Sequence, residues 1–171
     1  MQAISRTKKA LLFILVIFIT GLCLPSAKLI PVINATSSDW NPDTFWYEPW
    51  GLSGVHKGVD IFAEKNTEVI SPSHGLVLYT GEITQGGKVV IILAAKWRIH
   101  YFAHLNTINT QAGNYVLGEE KIGSVGDSGN AAGKQPHLHY SVLSLVPYVW
   151  RIDNSTQGWK KMFFLNPLDY F

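Results

Sequence analysis

The sequence predicts a mainly β protein: one compact antiparallel β-sheet domain behind a single N-terminal apolar helix. Three observations carry this. From Gly51 onward, short runs rich in Val, Ile, Leu and aromatics are split by Gly, Asn and Pro, the punctuation of strands and turns. After residue 27 no helical period holds. The length, 171 residues, suits one domain with little left for a second.

The first element is the helix. Arg6, Lys8 and Lys9 precede a run that carries no charge from Ala10 to Ala27. Basic residues before an apolar block form a membrane-targeting pattern. Its core, Ala10 to Leu24, has the length of a signal-peptide apolar region, and the full run reaches the minimum for a spanning helix. Pro25 stands where a cleavage site at Ala27 wants a small residue, so the preferred reading of residues 1–27 is a membrane anchor. The excess of basic residues before it places the domain outside the cytoplasm, anchored by residues 10–27, or secreted if that segment is removed. Cys23, the only cysteine, lies inside the run, which excludes an intramolecular disulfide and a thiol nucleophile in the domain.

Residues 28–50 read as a linker that turns into a Trp-rich lead-in, with the domain proper over 51–171. Trp40, Phe45, Trp46, Tyr47 and Trp50 have three readings: a cover for the core, a lip over a groove, or an interfacial aromatic belt. The strands then follow as VDIFA, TEVIS, GLVLYTG, KVVIILAA, WRIHYFAHL, NYVL, KIGSVG and HLHYSVLSL. Val89 to Leu93 is apolar throughout and predicts a strand buried on both faces. Residues 147–161 read as a long loop or hairpin before MFFLNPLDYF. The net charge of +2 is too mild for a nucleic-acid binder, which needs a clustered basic face.

The chemistry lies in the histidines. Strand side chains alternate, so His137 and His139 of HLH share one face and can both reach a metal, or one binds while the other handles protons. His56 and Asp60 of HKGVD are a neutral imidazole and a carboxylate, both ordinary zinc ligands, and Gly58 with the VDIF run argues against a helix there. Together the two motifs supply three ligands with a histidine to spare. That is the make-up of a catalytic zinc site, which keeps one position open for water and lowers its pKa from 15.7 to about 7. In WRIHYFAHL, alternation puts Arg98, His100, Phe102 and His104 on one face, with His100 and His104 about 13 Å apart at ~3.3 Å per residue. Both serve one centre only if a bulge intervenes. His104, at the strand end, is the better candidate; His100 and the turn residue His74 read as structural.

With these pieces in hand, the chain resembles the LytM/lysostaphin-type zinc endopeptidases, which cut peptide bonds in bacterial peptidoglycan. The resemblance rests on HKGVDIFA (56–63), GLVLYTG (75–81), YFAHL (101–105), KIGSVGDSGNAAG (121–133), PHLHYSV (136–142) and NPLDY (166–170). It implies a lysostaphin-like fold with a groove across the sheet. It also implies one Zn2+ per chain on His56, Asp60 and His139, with His104 and His137 as the catalytic pair. His137 would be the base toward a metal-activated water and His104 a stabiliser of the oxyanion. The implied partners are peptidoglycan stem or cross-link peptides, with the membrane engaged through the N-terminal segment. The alternative is a non-catalytic peptidoglycan-binding or hydrolase-activating relative. Ser141 departs from the Glu common at that position, and residues 144–161 look inserted beside the groove.

Overall fold

The computed structural model describes residues 5–26 and 28–171. Helix α1 spans Arg6–Cys23. Ten strands follow: β1 (Val59–Phe62), β2 (Glu68–Ile70), β3 (Gly75–Ile83), β4 (Gly87–Ala94), β5 (Arg98–Leu105), β6 (Thr107–Ile108), β7 (Tyr115–Val116), β8 (Lys121–Ser124), β9 (His137–Ser144) and β10 (Phe164–Leu165). Each of the eight expected runs forms a strand. The large sheet runs β1-β9-β5-β4-β3-β7, with β10 also pairing with β9, and a small sheet runs β2-β8-β6. Every pairing is antiparallel.

The two faces of the large sheet have different jobs. Leu138, Tyr140 and Val142 on β9, Phe102 on β5 and Val90 and Ile92 on β4 are buried in one core with Val69, Ile122 and Val125. The alternate residues of the same strands face a groove. Here β4 departs from the sequence expectation. Ile91 and Leu93 are only half-buried because their face forms part of this open surface, so the strand is covered fully on one side alone.

The expected linker is part of the fold. Val32 is buried in the core and bridges Val69, while the Ile70 N–H donates to the Pro31 carbonyl. Trp40 packs edge-on against Phe171 at 5.2 Å and against the core, which accords with the cover reading for that ring.

The N-terminal helix differs from the anchor expectation. Ser5 caps it by accepting from the Lys8 N–H. The Leu24 N–H closes the other end on the Thr20 carbonyl, and Pro25 follows. The uncharged part of α1, Ala10 to Cys23, rises about 21 Å at ~1.5 Å per residue, short of a ~30 Å hydrocarbon core. Among the described residues no helix is long and apolar enough to cross a membrane. The cleavage position after Ala27 lies outside the described residues. Phe18 stacks on Trp97, whose Nε1 donates to the Phe18 carbonyl at 2.9 Å.

Candidate metal centre

The site grows out of the register of β9. Asp60 of β1 and Ala103 of β5 both lie opposite His139. Residues directly opposite in antiparallel strands point to the same face, so the Asp60 carboxylate and the His139 ring meet. Asp60 Oδ1 lies 2.7 Å from His139 Nδ1. His56 precedes β1 and folds back over it, bringing Nε2 within 3.1 Å of both Asp60 Oδ1 and His139 Nδ1. Gly58 makes the fold-back possible. A Cβ there would sit 2.5 Å from Ser141 Oγ and from the Tyr140 carbonyl, and 2.9 Å from His139 Cε1. The connection therefore runs flat against β9, where any side chain would collide.

Two imidazole nitrogens and one carboxylate oxygen thus form a triangle. Its edges are slightly shorter than the ~3.3 Å between ligand atoms of a tetrahedral ion with bonds near 2.0–2.1 Å. Donor chemistry and spacing fit a divalent metal such as zinc, and these three residues form the group among the described residues able to hold one. Burial opposes the Asp60 charge, but the His139 and His56 ring nitrogens 2.7 and 3.1 Å from Oδ1 outweigh it and hold the carboxyl well below its usual range. Burial pushes His139 below the ordinary histidine value, so its neutral, ligand-ready form is favoured.

Backbone carbonyls decide the ring protonation pattern. A carbonyl only accepts, so a ring nitrogen facing one carries the hydrogen. Nδ1 of His56 faces the Thr44 carbonyl at 3.1 Å, Nδ1 of His104 that of Ser128 at 2.9 Å, and Nδ1 of His137 that of Gln135 at 2.8 Å. All three rings are left with a lone pair on Nε2. His139 is reversed: Nδ1 faces Asp60, and Nε2 lies 3.0 Å from Ser141 Oγ, which accepts from it when Nδ1 serves as the ligand.

His104 reaches the site by a route alternation does not predict. The β4–β5 register slips between Lys88↔Leu105 and Val90↔Phe102, so β5 carries one extra residue. His104 takes φ +62°, and its N–H donates to the Gly86 carbonyl at 2.7 Å. This bulge turns His104 away from the face of His100 and Phe102 and toward His137, ring centroids 5.0 Å apart. Burial first, then the neighbouring His137 and His139, lower its pKa to about 4, so it is neutral near pH 7. His100 stays on the core side with Nδ1 2.5 Å from the Tyr140 hydroxyl, and His74 accepts from the Gly118 N–H.

The five residues line a groove of about 1000 Å³. Tyr101, Ile99, Ile91 and Leu143 continue it along the sheet away from the three candidate ligands. Trp50 and Leu52 border it from the segment before β1, and Lys134 and Gln135 from the loop before β9. The sequence flagged Trp50 as one possible lip. It held no sign of the Thr44, Ser128 and Gln135 contacts, which are made by main-chain atoms.

Comparison with known proteins follows the same outline. The model of peptidase family M23 matches residues 54–149. The L-Ala–D-Glu endopeptidase of Bacillus subtilis is 37% identical over 114 residues, 61% of this chain and 35% of that protein. Lysostaphin of Staphylococcus staphylolyticus is 33% identical over 101 residues, 56% of this chain and 21% of that protein. The chain therefore spans about a third of the length of the first relative and about a fifth of the second. Among solved structures, the catalytic domain of lysostaphin from Staphylococcus simulans superposes with a TM-score of 0.56 at 26% identity, over 71% of this chain and 84% of that one.

Proposed function

Because the chain belongs to peptidase family M23, we propose that it is a zinc-dependent endopeptidase hydrolysing peptide bonds of bacterial peptidoglycan. The observation that carries this is the convergence of His56 Nε2, Asp60 Oδ1 and His139 Nδ1 within 2.7 to 3.1 Å, beside two further histidines. In this reading His56, Asp60 and His139 hold the metal. A zinc ion there supplies Lewis acidity and a water of lowered pKa. His137, with its hydrogen on Nδ1, offers Nε2 to take a proton from the attacking water and return it to the departing amine nitrogen. His104 faces the same space. While its Nδ1–H serves Ser128, its Nε2 donates to an oxyanion only after taking up a proton.

The substrate, by the same proposal, is a peptide laid along the apolar strip of the groove, with its scissile bond at the ligand end. The proposed peptidase domain is residues 51–171, with residues 28–50 packed on it as the lead-in, and it works in the periplasm or cell envelope. Residues 10–27 are proposed to direct it there, either retained as an anchor or removed.

The test is digestion of purified peptidoglycan by the full-length protein, with the released peptides identified by mass spectrometry. A chelator should stop release, and added Zn2+ should restore it. His56→Ala should lose metal and activity, whereas His137→Ala should keep metal and lose activity. Peptide release that persists in excess chelator would overturn the proposal.

A further inference from the structure

Asp60 and His139 are held by paired strands inside the family match, but His56 lies on no strand. We infer that two segments outside the match, 41–53 and 153–164, form a bracket that orients His56, with Trp50 and Trp46 as positioning residues for this ligand. The inference rests on the reading of the site as a zinc centre.

The bracket grips His56 at three levels. Its backbone is paired with the lead-in: the Trp46 N–H donates to the His56 carbonyl at 2.7 Å, and the His56 N–H to the Tyr47 carbonyl at 3.0 Å. The Thr44 carbonyl fixes the hydrogen on Nδ1. The Trp50 ring stacks on the imidazole at 4.0 Å with 21° between planes, and His56 is 1% exposed. With ring plane, tautomer and main chain all set, the Nε2 lone pair has one direction left, toward Asp60 and His139.

The lead-in is in turn tied to the second segment. Trp46 Nε1 donates to the Thr156 carbonyl at 3.1 Å, and its ring packs edge-on against Phe164. Gln157 Nε2 donates to the Ser53 carbonyl at 2.9 Å. Trp46 thus acts on the ligand at one remove, because its ring packs on Phe164 and its N–H holds the His56 backbone. Outer groups that orient a metal-binding histidine are worth about 10- to 100-fold in metal affinity.

The test is titration of the metal-free full-length protein with Zn2+ against a chromophoric chelator. Wild type should bind one Zn2+. Trp50→Ala and Trp46→Ala should each bind about tenfold or more weakly. Trp50→Phe and Trp46→Phe, which keep a ring, should recover most of the loss. Trp150→Ala, an exposed tryptophan outside the bracket, should match wild type. A protected His56 Nδ1–H signal in 1H–15N spectra should vanish in Trp50→Ala, while near-UV circular dichroism reports whether the fold persists. If wild type binds one Zn2+ and the folded Ala and Phe variants bind within twofold of it, the bracket is overturned and the metal centre stands. If wild type binds no Zn2+, the metal centre falls, and the bracket with it.

Discussion

Ser141 Oγ and His139 Nε2 lie 3.0 Å apart, on the side of the imidazole opposite the Nδ1 that faces Asp60. The hydroxyl can accept from Nε2 and so supports the tautomer that frees Nδ1 for a metal. Removing it by Ser141→Ala should weaken Zn2+ binding about tenfold with little effect on melting temperature, because an outer partner of a ligand tunes affinity more than fold. Competition titration checks this; unchanged affinity would show that Asp60 alone sets the ring.

Gly58→Ala probes the close approach of the His56 connection to β9. A methyl group 2.5 Å from a main-chain oxygen forces the connection outward. Overpacking of this kind costs about 1–3 kcal/mol. The displaced His56 should also weaken Zn2+ binding at least tenfold. Denaturant unfolding and metal titration read the two effects separately.

The bulge at His104 makes a paired prediction. Peptide release should be lost in both His104→Ala and His104→Gly, since both remove the imidazole. At φ +62° an alanine pays the left-handed penalty and a glycine does not, so the Gly variant should be more stable by about 1 kcal/mol. Equal stability by urea unfolding would remove the strain argument.

Stability should fall with acid. Burial, then the charge of Arg98, lowers the His100 pKa from 6.5 to about 4. Between those values the unfolded chain binds more protons than the folded one. The stabilisation is therefore complete above pH 6.5 and drains away as pH falls toward 4, by up to about 3 kcal/mol. Burial shifts His104 and His139 in the same direction, so His100→Phe should flatten the urea profile between pH 7 and 4.5 without levelling it. An unaltered slope would mean that His100 does not carry its share.

What the sequence disclosed was local or periodic. Strands announced themselves because alternation and turn residues are short-range signals, and the shared face of His137 and His139 followed from period two. The face of His104 did not. Its bulge arises from pairing with β4 and from the Gly86 carbonyl, and nothing in YFAHL marks the extra residue. Likewise Val32 looked like linker because one valine shows no period, yet it closes the core beside Val69. The candidate ligands are side chains and so stand in view in the sequence, although which histidine of HLH would bind metal was implied only by the resemblance; ring orientation comes from main-chain atoms and could not be read.

Carbonyl control of three imidazoles bears on how such a centre can be rebuilt elsewhere. Five side chains copied onto another antiparallel sheet at the same register would arrive without the Thr44, Ser128 and Gln135 carbonyls. Each ring would then be free to exchange tautomers, and the nitrogens proposed for metal binding and proton transfer would spend part of their time occupied. A working transplant has to carry three loops along with the strands, so its smallest portable unit is a path of backbone as well as a set of residues.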